Sequence, residues 1–583
     1  MILQALYDYY QRKINDPESG MAPEGFEWKE IPFIIVIDKE GNFVRLDKTS
    51  DDNHKKGKSL MVPKAKARSG SKSYETVCFL WDHLGYVLNE PKSDEEKDIE
   101  MAKNQHSSWL QLVNQLKDLF PERKDIFAIY QFYEKGQIEC VKISPLWKEC
   151  KSIPGCNFSF RVVDDNESIC EKRDIYEEYL KKSEEKNNSL ERTCLITGQK
   201  GAIAITHSSF NFGADKPKFV SFQKNSGYDS YGKQQGLNAP ISQKAEFAYS
   251  SALSHLLRKG AKNKIQLSDT TLVFWSSQKN EIDGFLASLF GNNDDPDGGL
   301  EAIRQLYKCI FTGASIPNID GEFFVLGLSA NKARLVTKFW HHQKLKNVVD
   351  KLKLYFEDIA INEDSPRTLY NMLRSIALGQ DLEKLPPKLI DDVIVSVFNG
   401  GVFPSSLLNQ TVNRIRAEQS LDKDKKEKYK KWRVEENRIS LLKAYLNRKQ
   451  RIYNKKEKEI KVALDTTNTN EGYLLGRLFA VLEKLQEDAQ PGINATIKDR
   501  YYGAASSTPI TVFPQLLKLK VHHLAKLENQ GFKIVIEKKI GEIMELLPPS
   551  MSSHMNLENQ AKFAIGYYHQ RQDLFKKKEV ENN

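Results

Sequence analysis

The residues with most chemistry to offer a partner stand in one loop, FVSFQKNSGYDSYGKQQGLNAPIS, which follows a strand-like run and precedes a helix beginning near Ser242. Gly227, Gly232, Gly236 and Pro240 punctuate it, while Lys224, Asn225, Tyr228, Tyr231, Lys233, Gln234, Gln235 and Asn238 supply its polar groups. An amide side chain both donates and accepts hydrogen bonds, and glycine lets a backbone approach a ligand closely. A loop of this composition can enter a DNA groove and read base edges.

Two further stretches are built for phosphate rather than for bases. The loop KAKARSGSK gathers Lys64, Lys66, Arg68 and Lys72 around Gly70, small enough for close backbone approach; a solvated loop is the competing reading. Between Gly401 and Asn470 stand 18 Lys and Arg against 9 Asp and Glu, a surplus equal to the net charge of +9 carried by the whole chain. Such a belt releases counterions when it meets a nucleic acid. Its core, DKDKKEKYKKWRVEEN, reads equally well as a solvated Lys/Glu helix. The part after it, with Lys443, Tyr445, Arg448, Lys449, Arg451 and Tyr453, mixes cations with aromatic rings as a backbone-tracking surface does.

Catalytic and metal chemistry are harder to find. TCLITGQKGAIAIT lacks the Gly-Lys-Ser/Thr of a phosphate loop and reads as a hairpin. In GNNDDPDGGLE, Pro296 and the register of the acids defeat calcium-loop spacing, leaving a turn and a helix cap. Seven cysteines form no Cys-x-x-Cys pair; Cys150, Cys156, Cys170 and Cys194 have only His207 as a nearby histidine and match no zinc pattern. His522, His523 and His569 lie on helices as packed or solvated residues. No catalytic residue, metal or cofactor is therefore expected. A nuclease acting directly on DNA or RNA is the alternative, with Asp294, Asp295 and Asp297 as its candidate acids.

The elements that must hold these loops follow from periodicity. MILQALYDYYQRKI reads as an amphipathic helix, IPFIIVI-DKEG-NFVRL as a hairpin and SLMVP as a third strand. Helices fill Tyr74 to Gly136, and short strands return from Phe158 to Phe222 around one charged helix. Strands are expected at KIQL, TTLVFW, EFFVLGLS and RLVTKFW, and helices around Ile282 to Phe290 and Leu300 to Phe311. From Gln343 onward only helical patterns appear, ending in a bundle opened by GYLLGRLFAVLEKLQEDA. In that bundle Thr508-Pro509 reads as an N-cap and first-turn proline, starting a helix with Phe513, Leu516, Leu517, Val521 and Leu524 on its apolar side. The fold class is α+β: an N-terminal domain with short antiparallel sheets over 1–342, a helical region with the basic belt over 343–461, and a helical bundle over 462–583. At 583 residues, with 40% hydrophobic and 28% charged residues, the chain is a multidomain globular protein. It has neither an apolar run of the roughly 18 to 20 residues that span a bilayer nor a secretory leader pattern, which predicts a cytoplasmic protein without a membrane partner.

Several blocks together resemble a known family. MILQALYDYY, GFEWKEIPFIIVID, CLITG, SYGKQQGLNAPIS, DTTLVFW, FFVLGLS and LLGRLFAVLEKLQEDA with INATIKDRYYGAASSTP are similar, nearly end to end, to the large subunit of the subtype I-C CRISPR Cascade complex. The resemblance implies a non-catalytic subunit that works with guide RNA and with backbone and guide-processing subunits. It would recognise the protospacer-adjacent motif in double-stranded target DNA, promote R-loop formation and recruit a helicase-nuclease. It places motif reading on Tyr231, Lys233, Gln234, Gln235 and Asn238, and DNA-backbone contact on Arg68 and Lys72, with Lys443, Arg448, Lys449 and Arg451 supplying the charge of the belt. The resemblance also likens the C-terminal bundle to the small subunit of such complexes. It implies a second product of about 120 residues, the size of one domain, from an internal non-AUG start near Val462, since no Met stands between Met372 and Met544.

Overall fold

An amphipathic helix, α1 (Ile2–Ile14), opens the computed structural model and buries Ala5, Leu6, Tyr9 and Tyr10. Four strands follow: β1 (Phe26–Glu30), β2 (Phe33–Ile37), β3 (Phe43–Lys48) and β4 (Ser59–Pro63). All five residues of β2, FIIVI, are buried, as a strand covered on both faces requires. Phe33, Ile35 and Ile37 face a core with Trp109, Val113 and Phe132; Ile34 and Val36 face a smaller one with Val62 and Trp81. The expected β2–β3 hairpin is antiparallel. Its turn is held by the Asp38 carboxylate, which accepts from the backbone N–H groups of Glu40 and Asn42 at 3.0 and 2.8 Å. Gly41 there has φ +83°, and a Cβ would lie 2.6 Å from the Ala128 carbonyl oxygen, so glycine is required twice over. The SLMVP strand, β4, pairs not with the hairpin but with β1, antiparallel.

Beyond it lie β5 (Trp81–His83), α2 (Leu84–Leu88), α3 (Glu96–Leu119), α4 (Lys124–Glu134), α5 (Ile138–Lys142), α6 (Trp147–Ser152) and β6 (Asn157–Val162). β6 joins β2 in parallel and β5 antiparallel, completing a mixed sheet of order β3-β2-β6-β5. After α7 (Arg173–Glu184) the anticipated TCLITGQKGAIAIT hairpin is present but short, its ladder being β7 (Glu191–Thr193) with β8 (Lys200–Ala202). Helix α8 (Gln243–Leu257) follows the long polar loop. β9 (Lys264–Leu267), β10 (Thr270–Ser276), β11 (Glu322–Asn331) and β12 (Arg334–Lys344) form a second sheet of order β12-β11-β10-β9.

The remaining elements are helices: α9 (Leu345–Ile359), α10 (Leu369–Ile376), α11 (Pro387–Asn399), α12 (Ser405–Ala417), α13 (Val434–Tyr453), α14 (Glu471–Ala489), α15 (Ile497–Ser507), α16 (Pro509–Lys526), α17 (Gln530–Leu546) and α18 (Leu557–Phe575). The protein is thus α+β, with its strands concentrated N-terminally and a helical C-terminal half. The structure describes residues 1–50, 57–65, 68, 72–184, 190–212, 215–227, 229–258, 260–278, 289, 320–361, 367–418, 425, 427–428, 433–453 and 458–575. The helices expected at 282–290 and 300–311, and most of the DKDKKEKYKK run, lie outside them. Two units divide the chain: Met1–His255 with Lys332–Arg334, and Leu256–Asn331 with Leu335–Asn583.

In the C-terminal bundle α14 is the central helix, with Leu474, Leu475, Leu478, Phe479 and Leu485 fully buried. It lies close against α18 because glycines meet there. A Cβ on Gly476 would stand 2.0 Å from the Phe563 carbonyl oxygen, and one on Gly566 would stand 2.1 Å from that of Tyr473. Thr508 stands at the N-cap of α16 and Pro509 in its first turn, as expected, although the Thr508 hydroxyl donates to the Ala504 carbonyl at 3.2 Å rather than to the helix it precedes. One expectation for α16 is corrected. Val521 is 61% exposed, because the apolar face of α16 is narrower than its sequence spacing implies.

Candidate nucleic-acid interface

In the first unit the segment Ala204–Ser208 seats the long polar loop and the end of β4. The Gly236 N–H donates to the Ile205 carbonyl at 2.9 Å, and a Cβ on Gly236 would lie 2.1 Å from the Ala204 carbonyl oxygen. Only glycine fits that seat. The Lys64 ammonium, one residue beyond β4, donates to the Ser208 and Ser250 hydroxyls at 2.9 and 3.2 Å and lies 4.8 Å from the centre of the Phe247 ring. Lys64 therefore anchors the base of its loop rather than pointing away from it.

The polar loop contains two short 3₁₀ turns, Ser230–Gly232 and Gln235–Asn238. Asn225, Tyr231 and Gln235 have φ of 58°, 57° and 45°, a left-handed conformation that side chains other than glycine rarely adopt. Strain of this kind persists only where surrounding contacts over-determine the shape. Here those contacts are Asp229, whose carboxylate accepts from the Asn225 N–H at 2.6 Å, and Asn238, whose Nδ2 donates to the Gln235 carbonyl at 3.1 Å. The five residues assigned to motif reading therefore divide. Tyr231, 98% exposed, projects with exposed Lys233 and Gln234; Gln235 and Asn238 are half-buried, and Asn238 spends its amide donor bracing the turn. Tyr228 lies outside the described residues.

The cations assigned to the DNA backbone divide more sharply. Lys72 is exposed, with Glu75 3.4 Å away. Arg68 turns inward: Nε donates to the Thr76 carbonyl at 2.8 Å, Nη2 bonds the buried Asp82 carboxylate, and the guanidinium lies 4.2 Å from the centre of the Tyr86 ring. Lys66, Ser69 and Gly70 are outside the described residues. The belt expectation fails for two residues, because α13 is a core helix. Arg448 is 1% exposed, its Nε on Asp358 and its Nη1 donating to the Ser396 and Gly401 carbonyls at 2.5 and 3.2 Å. Lys443 is 2% exposed and donates to the Glu357 and Asp358 carbonyls at 2.9 and 3.0 Å; burial pulls its ammonium down to about 8. Neither can reach a phosphate. Lys449 and Arg451 are half-buried and committed to carboxylates, Lys449 to Glu558 and Arg451 to Glu459 at 2.8 Å and Asp358 at 3.0 Å. Of the two aromatic rings in that stretch, Tyr445 is interior packing at 5% exposure, while Tyr453 at the end of α13 is 74% exposed.

A basic surface that the sequence reading passed over lies on α16. Its 18 residues include Lys518, Lys520, Lys526 and His522, with His523 buried beneath them, and no Asp or Glu. Thr511, Gln515, Lys518, His522 and Lys526 recur at helical spacing and are all exposed. The usable signal was the absence of acids over a whole helix, which a surplus counted over a longer window conceals. Elsewhere in the first unit a groove of about 580 Å³ is lined by Asp47, Lys48, Lys58 and Arg161 among others, but Arg161 is paired with Asp47 and Lys48 with Glu149.

A family model described as CRISPR-associated protein (Cas_Csd1) matches residues 6–575. No curated protein matches the chain.

Proposed function

We propose that this chain, which belongs to the CRISPR-associated Cas_Csd1 family, is the large subunit of a subtype I-C Cascade complex. In this reading it recognises the protospacer-adjacent motif in duplex DNA, promotes R-loop formation and recruits the helicase-nuclease, acting in the cytoplasm as a binding protein rather than a catalyst. Guide RNA pairing reads most of the target, so the protein has only a short motif to read and backbones to hold. The observation that carries the reading is the loop on which Tyr231, Lys233 and Gln234 stand clear of a strained backbone seated by Gly236. Lys233 and Gln234 have the donors and acceptors for base edges, and an exposed phenol ring is suited to wedging against an opened base step. Lys72 in the first unit and, separately, the acid-free face of α16 in the second are the phosphate contacts of this reading, in place of the buried Lys443 and Arg448. The described residues contain no helix long and apolar enough to cross a membrane.

The partners proposed are guide RNA, target duplex, the backbone and guide-processing subunits, the helicase-nuclease, and a small subunit begun near Val462 from the same message. Helices α14 to α18 have a hydrophobic core of their own, which supports such a product. The assembled complex carrying Lys233→Ala or Gln234→Ala is expected to lose roughly 10- to 100-fold of its preference for the correct motif, about 1–3 kcal/mol per base contact. Unchanged discrimination in both variants would remove motif reading from this loop. The direct-nuclease alternative rests on Asp294, Asp295 and Asp297, which are outside the described residues; cleavage of DNA or RNA by the purified chain, lost on their mutation, would favour it.

A further inference from the structure

Beneath the polar loop lies a cavity of about 50 Å³, floored by Ile205–His207, walled by Lys218 and Ser221, and roofed by Gln235 and Gly236. His207 is 3% exposed. Its Nδ1 is 2.5 Å from the Tyr249 hydroxyl, while its Nε2 has no hydrogen-bond partner among the described residues. Burial pushes the Tyr249 phenol far above its ordinary range and holds the imidazole below its own. The Tyr249 hydroxyl has no other acceptor among the described residues, so the phenol donates to Nδ1 and the neutral ring carries its hydrogen on Nε2. A buried N–H without an acceptor costs about 1–3 kcal/mol, so an acceptor is what this site lacks. Lys218 adds a positive charge. The nearby Glu246 carboxylate accepts from the Ser208 N–H at 2.8 Å, and no acidic residue lines the cavity. About 50 Å³ is room for a few waters or the oxygens of one phosphate, and too little for a base.

We propose that this cavity binds a single backbone phosphate of the DNA, with His207 Nε2 and the Lys218 ammonium donating to its non-bridging oxygens. The proposal rests on the motif-reading function above. It adds the contact that sets the register of Lys233 and Gln234 on the bases, because the cavity's roof, Gln235 and Gly236, directly follows those two residues in the chain. Phosphate contacts position a protein and base contacts specify the sequence.

The test uses the assembled complex and correct-motif duplexes in which phosphates flanking the motif are replaced, one at a time, by neutral methylphosphonates. Wild type is expected to lose roughly tenfold in affinity at one position. Lys218→Gln and His207→Phe should both weaken binding to the unmodified duplex and abolish the effect at that position alone, and Lys218→Gln should also lower the salt slope by about one. Since His207 is buried, Lys218→Gln is the variant that decides if His207→Phe does not fold. A scan that is flat in wild type, or that keeps its sensitive position in Lys218→Gln, overturns the proposal and leaves the cavity to water. If wild type shows no motif preference, the loop reading fails separately, whatever the scan gives.

Discussion

At the scale of single residues, a cation's neighbours matter more than its charge. Arg448 and Asp358 are both at 1% exposure, with Arg448 also 4.4 Å from the centre of the Phe403 ring. Removing one member of a buried ion pair strands the other, at about 3–5 kcal/mol. Arg448→Ala is therefore expected to lower the unfolding free energy of the second unit, read from its urea transition, by that amount while the complex, if it assembles, keeps its salt slope for DNA. A changed slope with unchanged stability would return Arg448 to the surface role first expected of it. His569 gives the corresponding statement about acid. Burial, with the Lys443 ammonium close by, holds its imidazole down at about 4, against roughly 6.5 in the unfolded chain. Between those values the unfolded state binds the additional proton, so the contribution is intact above about pH 6.5 and is lost as pH falls towards 4, to a limit of about 3 kcal/mol. His569→Gln should flatten that part of the stability profile relative to wild type. Parallel profiles for the two proteins would contradict it.

At the scale of elements, much was legible and the failures have a common cause. FIIVI announced a strand and the DKEG turn its hairpin, because each signal is local; that the strand is covered on both faces came only with the structure. The pairing of SLMVP with β1 was not legible, since register between distant strands is set by the packing of the whole sheet. In α13, a periodic mixture of Lys, Arg and Tyr was consistent with a surface, yet 14 of its 20 residues are buried. Carboxylates supplied from elsewhere, Asp358 above all, decided the matter, and sequence spacing does not show them. The glycines of α14 are the reverse case: visible as letters, uninformative until α18 was seen against them. Gly476→Ala, which helix propensity alone would favour, should instead destabilise the bundle by about 1–3 kcal/mol through overpacking. An unchanged or raised melting temperature would show that the α14–α18 crossing has slack.

At the scale of the whole molecule, the helices after Val462 are not wholly self-contained. Tyr473, Ala561, Ala564, Ile565 and Tyr568 belong to the core shared with α9 to α13, not to the core of α14 to α18. A product begun at Val462 would expose this apolar strip and needs a partner surface to cover it. Mass spectrometry of the purified complex should therefore find a species of about 120 residues, one domain in size, held in the assembly rather than free. Its absence would remove the second product. Sequence pattern, backbone strain and exposed polar groups coincide in the loop from Phe219 to Ser242, the proposed motif reader. Binding of the reconstituted complex to duplexes with a randomised adjacent motif, at two salt concentrations, tests it most directly. Motif reading by this loop predicts enrichment of a defined motif at both concentrations, with overall affinity falling steeply as salt rises. Salt-dependent binding with no motif preference would contradict it.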